Sequence, residues 1–143
     1  MPSRETDVVA ARQEQSAASK RATFAKLIAK PRAERELRLM LPNGAETEEV
    51  TFLFRAIGSQ DYDKMLDKHP PNTEQKAAGT SYNIHTFAPA LLSRVCVDPE
   101  LTVSEWKQIW ESPDWNRGET MQLFLNAVEL CNAGMDIPFT EAG

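Results

Sequence analysis

The sequence predicts an α+β fold made of an N-terminal flexible or partly helical arm, one β-hairpin and about four α-helices packed on that hairpin. Two stretches of alternating apolar residues, joined by Pro42-Asn43-Gly44, predict the hairpin. Downstream, apolar residues recur every three to four positions, and capping residues or prolines separate the segments. A chain of 143 residues can bury a core of its own. We therefore expect one domain over residues 34–143 and a separate arm over residues 1–33.

The arm is basic and poor in apolar side chains. Residues 1–40 carry nine Lys or Arg against five Asp or Glu, a net charge of +4, whereas residues 41–143 carry seven against sixteen, a net charge of −9. Phe24, Leu27 and Ile28 form one apolar patch before Pro31. Ordering the arm costs about 1–2 kcal/mol per residue, which so small a patch cannot offset. The arm is therefore predicted to be disordered or transiently helical until bound.

The hairpin is predicted to have one apolar face. Its inward-facing residues are expected to be Leu37, Leu39, Leu41, Val50, Phe52 and Phe54. A two-stranded hairpin is marginal alone, so this face must lie on the helices. Met40 and Leu53 are on the opposite face and indicate a second contact, such as another subunit.

The first two helices of the domain are predicted from capping residues and prolines. Ser59 is expected to cap the first, which Pro70-Pro71 ends. Thr86 is expected to cap the second, with Pro89 tolerated in its first turn and Asp98-Pro99 at its end.

The stretch from Leu101 to Gly134 predicts the last two helices, around which the rest of the chain is expected to pack. Thr102 and Glu105 form a capping box at the start of one helix, and Asn116 caps the other. The apolar stripe of the last helix is predicted to be Met121, Phe124, Leu125, Val128 and Cys131, flanked by Leu123, Ala127 and Leu130. So wide a face indicates a helix at the centre of the core, or one that also contacts a partner.

The residue pattern does not predict catalytic chemistry. Neither His69 nor His85 has metal ligands at the required spacing, and the phosphate-binding and nucleophile motifs are missing from the sequence. His69 is expected to end its helix, where the helix dipole favours its charged form. Cys96 and Cys131 are expected to be small buried thiols. We therefore expect no enzyme, no cofactor and no metal.

Composition also bears on location and partners. No apolar run approaches the roughly 18 residues that a membrane span needs, and the first residues lack the apolar core of a secretory signal, so we expect an intracellular protein without a membrane contact. The basic arm can contact phosphates, but it lacks aromatic residues for stacking and the remainder is acidic. Nucleic acid is therefore not the expected partner.

Several segments, from about Arg35 to the C-terminus, resemble the tail assembly chaperones of siphovirus-type actinobacterial phages, whose tails are long and non-contractile. The order and spacing of these segments agree together, whereas the residues before Pro31 lie outside the resemblance. The segments are Phe54 to Asp63, His69-Pro70-Pro71, Thr86 to Leu91, Glu111 to Glu119 and Asp136 to Glu141.

The resemblance implies a non-enzymatic chaperone domain over residues 34–143. Such proteins bind the helical tape-measure protein in the host cytoplasm, keep it soluble while the tail tube polymerises around it, and are absent from the finished virion. Further partners implied are the tail-tube protein and a longer, frameshifted form of the chain, and a homo-oligomer is a further expectation. The alternatives are a structural virion protein (a tail-tube or head–tail connector subunit) and, third, a nucleic-acid-associated regulator.

Partner contacts are expected from apolar residues that a small core does not need, since an amphipathic helix of the partner would bind them. For each candidate the alternative is packing within the domain. The candidate partner-binding residues are Met40, Leu53, Trp106, Trp110, Leu123 and Leu130.

Overall fold

The computed structural model describes residues 20–133 and confirms the α+β class, with six helices and a three-stranded antiparallel sheet in that range. The chain divides into two units between Pro31 and Arg32, two residues before the predicted end of the arm. In chain order the elements are α1 (Phe24–Ile28), β1 (Glu34–Asn43), β2 (Glu46–Arg55), α2 (Ser59–Asp67), α3 (Thr73–Ala77), α4 (Ile84–Val95), β3 (Cys96–Asp98), α5 (Val103–Glu111) and α6 (Arg117–Cys131).

In the first unit, α1 is a single capped turn within the predicted arm. The Thr23 side chain accepts a hydrogen bond from the Lys26 N–H at 3.2 Å, which satisfies one of the free donors at the helix start. Phe24, Leu27 and Ile28 are all exposed. Residues 1–19 lie outside the described range, so the disordered state of the arm stays a prediction.

The predicted hairpin is confirmed, with its alternation and its turn. β1 and β2 pair antiparallel without interruption, and Leu39, Phe52 and Phe54 are buried on the inner face. Gly44 has a φ of +64° in the turn, a left-handed conformation that glycine adopts without steric cost. Register and turn chemistry therefore agree, as they must when only one face of a sheet is buried.

A third strand was not predicted. β3 pairs antiparallel with β2, opposite Leu53 and Phe54, so the prediction that the preceding helix continues to Asp98-Pro99 is wrong. That helix ends at Val95, and Cys96 is already extended. Three residues are too few to show the two-residue alternation by which strands are recognised.

The start of α4 also differs from the prediction. Asn83, rather than Thr86, is the N-cap, and its side chain accepts from the His85 N–H at 3.1 Å. Pro89 is consequently the sixth helical residue instead of lying in the first turn. Because proline has no N–H, the His85 carbonyl lacks the i+4 hydrogen bond of a regular helix.

The element at the centre of the domain is α4, rather than α6 as expected. α4 contacts α2, α5, α6 and β3, whereas α6 contacts α4 and the first two strands. Among the described residues, five helices follow the hairpin, in agreement with the prediction of about four; the short α3 is the additional one. The buried residues of α4 are Phe87, Ala88, Pro89, Leu91, Leu92 and Val95.

The buried face of α6 is rotated from the predicted stripe. Leu125 is 52% exposed, whereas the supposed flank is buried. The polar Thr120 lies on the buried face, where its hydroxyl donates to the Asn116 and Arg117 carbonyls. A polar residue on the buried face interrupts the apolar pattern from which that face was predicted. The buried residues are Thr120, Leu123, Phe124, Ala127 and Leu130. The helix ends at Cys131, with Asn132 as its C-cap, and Gly134, which was predicted to follow the end in the left-handed conformation, lies outside the described residues.

Candidate partner-binding surface

Three of the six candidate residues belong to the core. Trp106 and Leu123 are each 1% exposed, and Leu130 is 6% exposed. The prediction that they are surplus to the core is wrong, because the helices on which they lie turn these side chains toward α4 and the sheet. The alternative, packing within the domain, describes them.

Met40 and Leu53 share the outer face of the hairpin but do not form one apolar patch. Met40 is 60% exposed, whereas Leu53 is half-buried. Between them the Arg38 Nε lies 2.9 Å from the Glu36 carboxylate and 3.6 Å from that of Glu49. The hydrogen bond and charge of Glu36, with the charge of Glu49, raise the pKa of Arg38. A charged surface of this kind does not suit an apolar helix.

Trp110, on α5, is the remaining candidate, and it lies at the surface that the helices form. Its ring packs edge-on against Phe124, with ring centroids 6.1 Å apart. Its Nε1–H points to the His85 Nδ1 at 3.4 Å. The side chain is half-buried, so one side of the indole contacts the core and the other remains accessible.

Trp115, which was not among the candidates, lies in the loop between α5 and α6. The Trp115 N–H donates to the Ser112 carbonyl at 3.3 Å, and the Ser112 hydroxyl accepts from the Asp114 N–H at 3.2 Å. The Asn116 cap of α6 follows at once. A loop has no periodicity to reveal its surface, but an aromatic residue in a short loop between two well-capped helices is a signal that could have found it.

Two surface depressions of about 410 Å³ each meet at Trp115, and we call their combined lining the Trp115 surface. All six of its apolar side chains are half-buried, so they are anchored in the core while still presenting area to solvent. The first depression is lined by Leu101, Glu105, Gln108, Ile109, Ser112 and Trp115. The second is lined by Ile84, His85, Trp110, Glu111, Trp115, Arg117, Thr120 and Met121.

The rim of this surface carries both signs of charge. Glu105 is already engaged in the capping box of α5, where its side chain accepts from the Thr102 N–H at 3.0 Å. Among residues 20–133, neither Glu111 nor Arg117 is in an ion pair. These two side chains are therefore free to pair with charges that flank an apolar seam on another protein.

Burial shifts the pKa values of the two cysteines, which lie outside this surface. Burial raises the pKa of the Cys96 thiol to about 11, and the thiol lies 3.3 Å from the Pro99 carbonyl, to which it donates. Burial also raises the pKa of Cys131. Among the described residues, no three His, Cys, Asp or Glu side chains converge on a position that could hold a metal ion.

His69 does not behave as the helix dipole alone would predict. Its Nδ1 lies 2.9 Å from the Thr86 hydroxyl, and its ring is 6.1 Å from that of Phe87. Burial, and secondarily the charge of Lys68, lower the pKa of His69. Both causes disfavour the charged form of His69.

Comparisons of the chain with family models, with curated proteins and with solved structures found no match. Within residues 20–133, no helix combines the length and the apolar character needed to cross a membrane.

Proposed function

We propose that this protein is a non-enzymatic tail assembly chaperone of a siphovirus-type phage, and that it binds the tape-measure protein through the Trp115 surface. The observation that carries the proposal is the position of Trp115. It belongs to the segment from Glu111 to Glu119, one of those that carry the resemblance, and it lies where the two surface depressions meet.

The chemistry of this surface suits an amphipathic helix. A tape-measure protein exposes apolar helical seams until the tube encloses it, and such seams bind grooves through residues at i, i+3, i+4 and i+7. Two depressions on either side of one indole can each receive an apolar side chain of the seam. Complete burial of one such side chain contributes about 1.5–3 kcal/mol, so a few contacts suffice for binding.

The rim charges would set the orientation of the bound helix. Glu111 and Arg117 border the same depression with opposite sign. A helix with complementary charges gains at both positions, and the reversed helix places like charges together, which disfavours it.

A chaperone of this kind must also release its partner. The depressions are open and their apolar side chains are half-buried, so the binding energy is limited to partial burial of several side chains. In the proposed cycle the protein acts in the host cytoplasm, leaves as tail-tube subunits cover the tape measure, and is absent from the mature virion.

Co-expression with the tape-measure protein of the same phage tests the proposal. The wild-type chain is expected to raise the soluble fraction of the tape measure and to co-purify with it. Trp115→Ala and Met121→Glu should each reduce co-purification at least about tenfold. A tenfold change corresponds to about 1.4 kcal/mol, which is slightly less than the burial of one apolar side chain contributes. Met40→Ala, also at an apolar surface position but on the hairpin, is the matched control and should bind like the wild type.

Three results would contradict the proposal. The first is a tape measure equally insoluble with and without the chain. The second is equal retention by all of the variants. The third is the chain itself in purified, washed virions at the copy number of a structural subunit, which would favour the tail-tube or connector alternative.

A further inference from the structure

Within residues 20–133, no strand pairs with the outer edge of the sheet. β2 is the central strand, so among the described residues β1 is paired on one side only. β1 is ten residues long and keeps one register with β2 throughout, since the only shift in the sheet falls between β2 and β3. A long, regular edge strand is a template for another strand.

The backbone groups that face this edge can be identified from one hydrogen bond. The Ala56 N–H donates to the Ala33 carbonyl at 2.9 Å, so Ala33 points toward β2. Backbone groups alternate in direction along an antiparallel strand, and therefore the even-numbered residues point away from β2. Those residues are Glu34, Glu36, Arg38 and Met40. The next one, Pro42, has no N–H and ends the array of donors without leaving one unpaired.

The side chains on this edge are self-complementary. Glu36 and Arg38 project from the same face, and both are solvent-exposed. If two copies of β1 pair antiparallel about an axis at Leu37, Glu36 of each copy lies opposite Arg38 of the other. An axis at Arg38 instead places two like charges directly opposite each other, which is destabilising. An axis at Glu36 does the same, and this repulsion offsets part of the attraction between Glu34 and Arg38 of the two copies, so charge favours the axis at Leu37.

The inner face favours the same register. Leu37 is only half-buried in the single chain. With the axis at this residue, the Leu37 side chains of the two copies meet beside the core and lose solvent contact. Backbone direction permits every axis that passes through a residue, and among these both charge and apolar contact favour the axis at Leu37.

We propose that the occupant of this edge is a second copy of the chain, so that two molecules form a continuous six-stranded sheet by antiparallel β1–β1 pairing centred on Leu37. The proposal concerns the sheet and is independent of the Trp115 surface. A dimer built in this way presents two Trp115 surfaces related by a twofold axis.

Paired charge reversals test the proposal on the full-length chain, with mass measured by sedimentation equilibrium. The wild type should have twice the mass of one chain. Glu36→Arg and Arg38→Glu each place like charges opposite each other and should weaken the dimer at least about tenfold. Mixing the two variants should restore a dimer, because every cross-strand pair is then attractive. Lys107→Glu, an exposed charge reversal on α5 away from the sheet, is the matched control and should dimerise like the wild type.

Amide hydrogen exchange in the wild type provides a second test that needs no variant. The even-numbered amides from 34 to 40 should become protected as concentration rises, whereas the odd-numbered ones are protected at all concentrations by β2. A monomer at the highest soluble concentration, a dimer in both single variants, or a mixture that stays monomeric would each overturn the proposal.

Discussion

At the scale of single residues, burial rather than charge controls the chemistry of Cys96. Its thiol is enclosed and has a pKa of about 11, raised by burial from an ordinary value of 9.0. As pH rises, the unfolded chain loses this proton first. The free energy of unfolding therefore falls between about pH 9 and pH 11, and the contribution is fully retained below that range.

This shift predicts slow alkylation of the native thiol. At pH 8 the thiolate fractions implied by the two pKa values differ roughly 90-fold, so Cys96 of a Cys131→Ser variant should react with iodoacetamide about that much more slowly in buffer than in denaturant. The alkaline loss of stability should be smaller in Cys96→Ala than in the wild type. Equal alkylation rates in buffer and in denaturant would show that the thiol is not enclosed.

At the scale of elements, hydrogen-bonded N-terminal caps fix the residues at which α5 and α6 begin. Thr102 and Glu105 bond reciprocally at the start of α5, at 3.1 and 3.0 Å, and Asn116 and Glu119 do so at the start of α6, both at 2.8 Å. The Asn116 cap fixes one end of the loop that holds Trp115, whereas the Thr102 cap lies at the far end of α5. The Asn116 cap therefore links a local hydrogen-bonding motif to the position of the proposed binding residue.

Removing either cap should lower stability by a predictable amount. Thr102→Ala and Asn116→Ala are each expected to reduce the free energy of unfolding by about 0.5–2 kcal/mol, because backbone donors lose their acceptor. Ser104→Ala, in the exposed first turn of α5, should change it by less than about 0.5 kcal/mol. Chemical denaturation of the three variants checks this. A loss in Ser104→Ala as large as in the cap variants would contradict the role given to the caps.

The same elements show which parts of the fold could be predicted. The hairpin and both capping boxes were predicted correctly, because turn chemistry, alternation and side-chain spacing are local. The predicted start of α4 was wrong because Asn83 and Thr86 are both acceptable N-caps, and the local sequence does not distinguish between them. β3 is too short to show a period. The predicted buried face of α6 was wrong because the buried face includes Thr120, a polar residue that the sequence pattern assigns to the solvent side.

At the scale of the whole molecule, the candidate site was only partly predictable. Trp110, predicted from its helical spacing, lies half-buried at the surface, whereas Trp106, Leu123 and Leu130 are in the core because α4 and the sheet enclose them. Which apolar residues are surplus depends on how all the elements pack, and no local pattern contains that information. Trp115 was missed for the related reason that a loop residue becomes part of a surface only when its flanking helices are placed.

The three tryptophans of the chain allow one direct measurement of partner binding. Trp106 is buried, and its indole Nε1–H has no hydrogen-bond partner among the described residues, whereas Trp110 and Trp115 border the proposed binding surface. We would titrate a ¹⁵N-labelled chain with a helical fragment of the tape-measure protein and follow the three indole N–H resonances. The account predicts saturable shifts at Trp110 and Trp115 and little change at Trp106. Saturable binding that leaves the Trp110 and Trp115 resonances unmoved, or no binding at all, would contradict it.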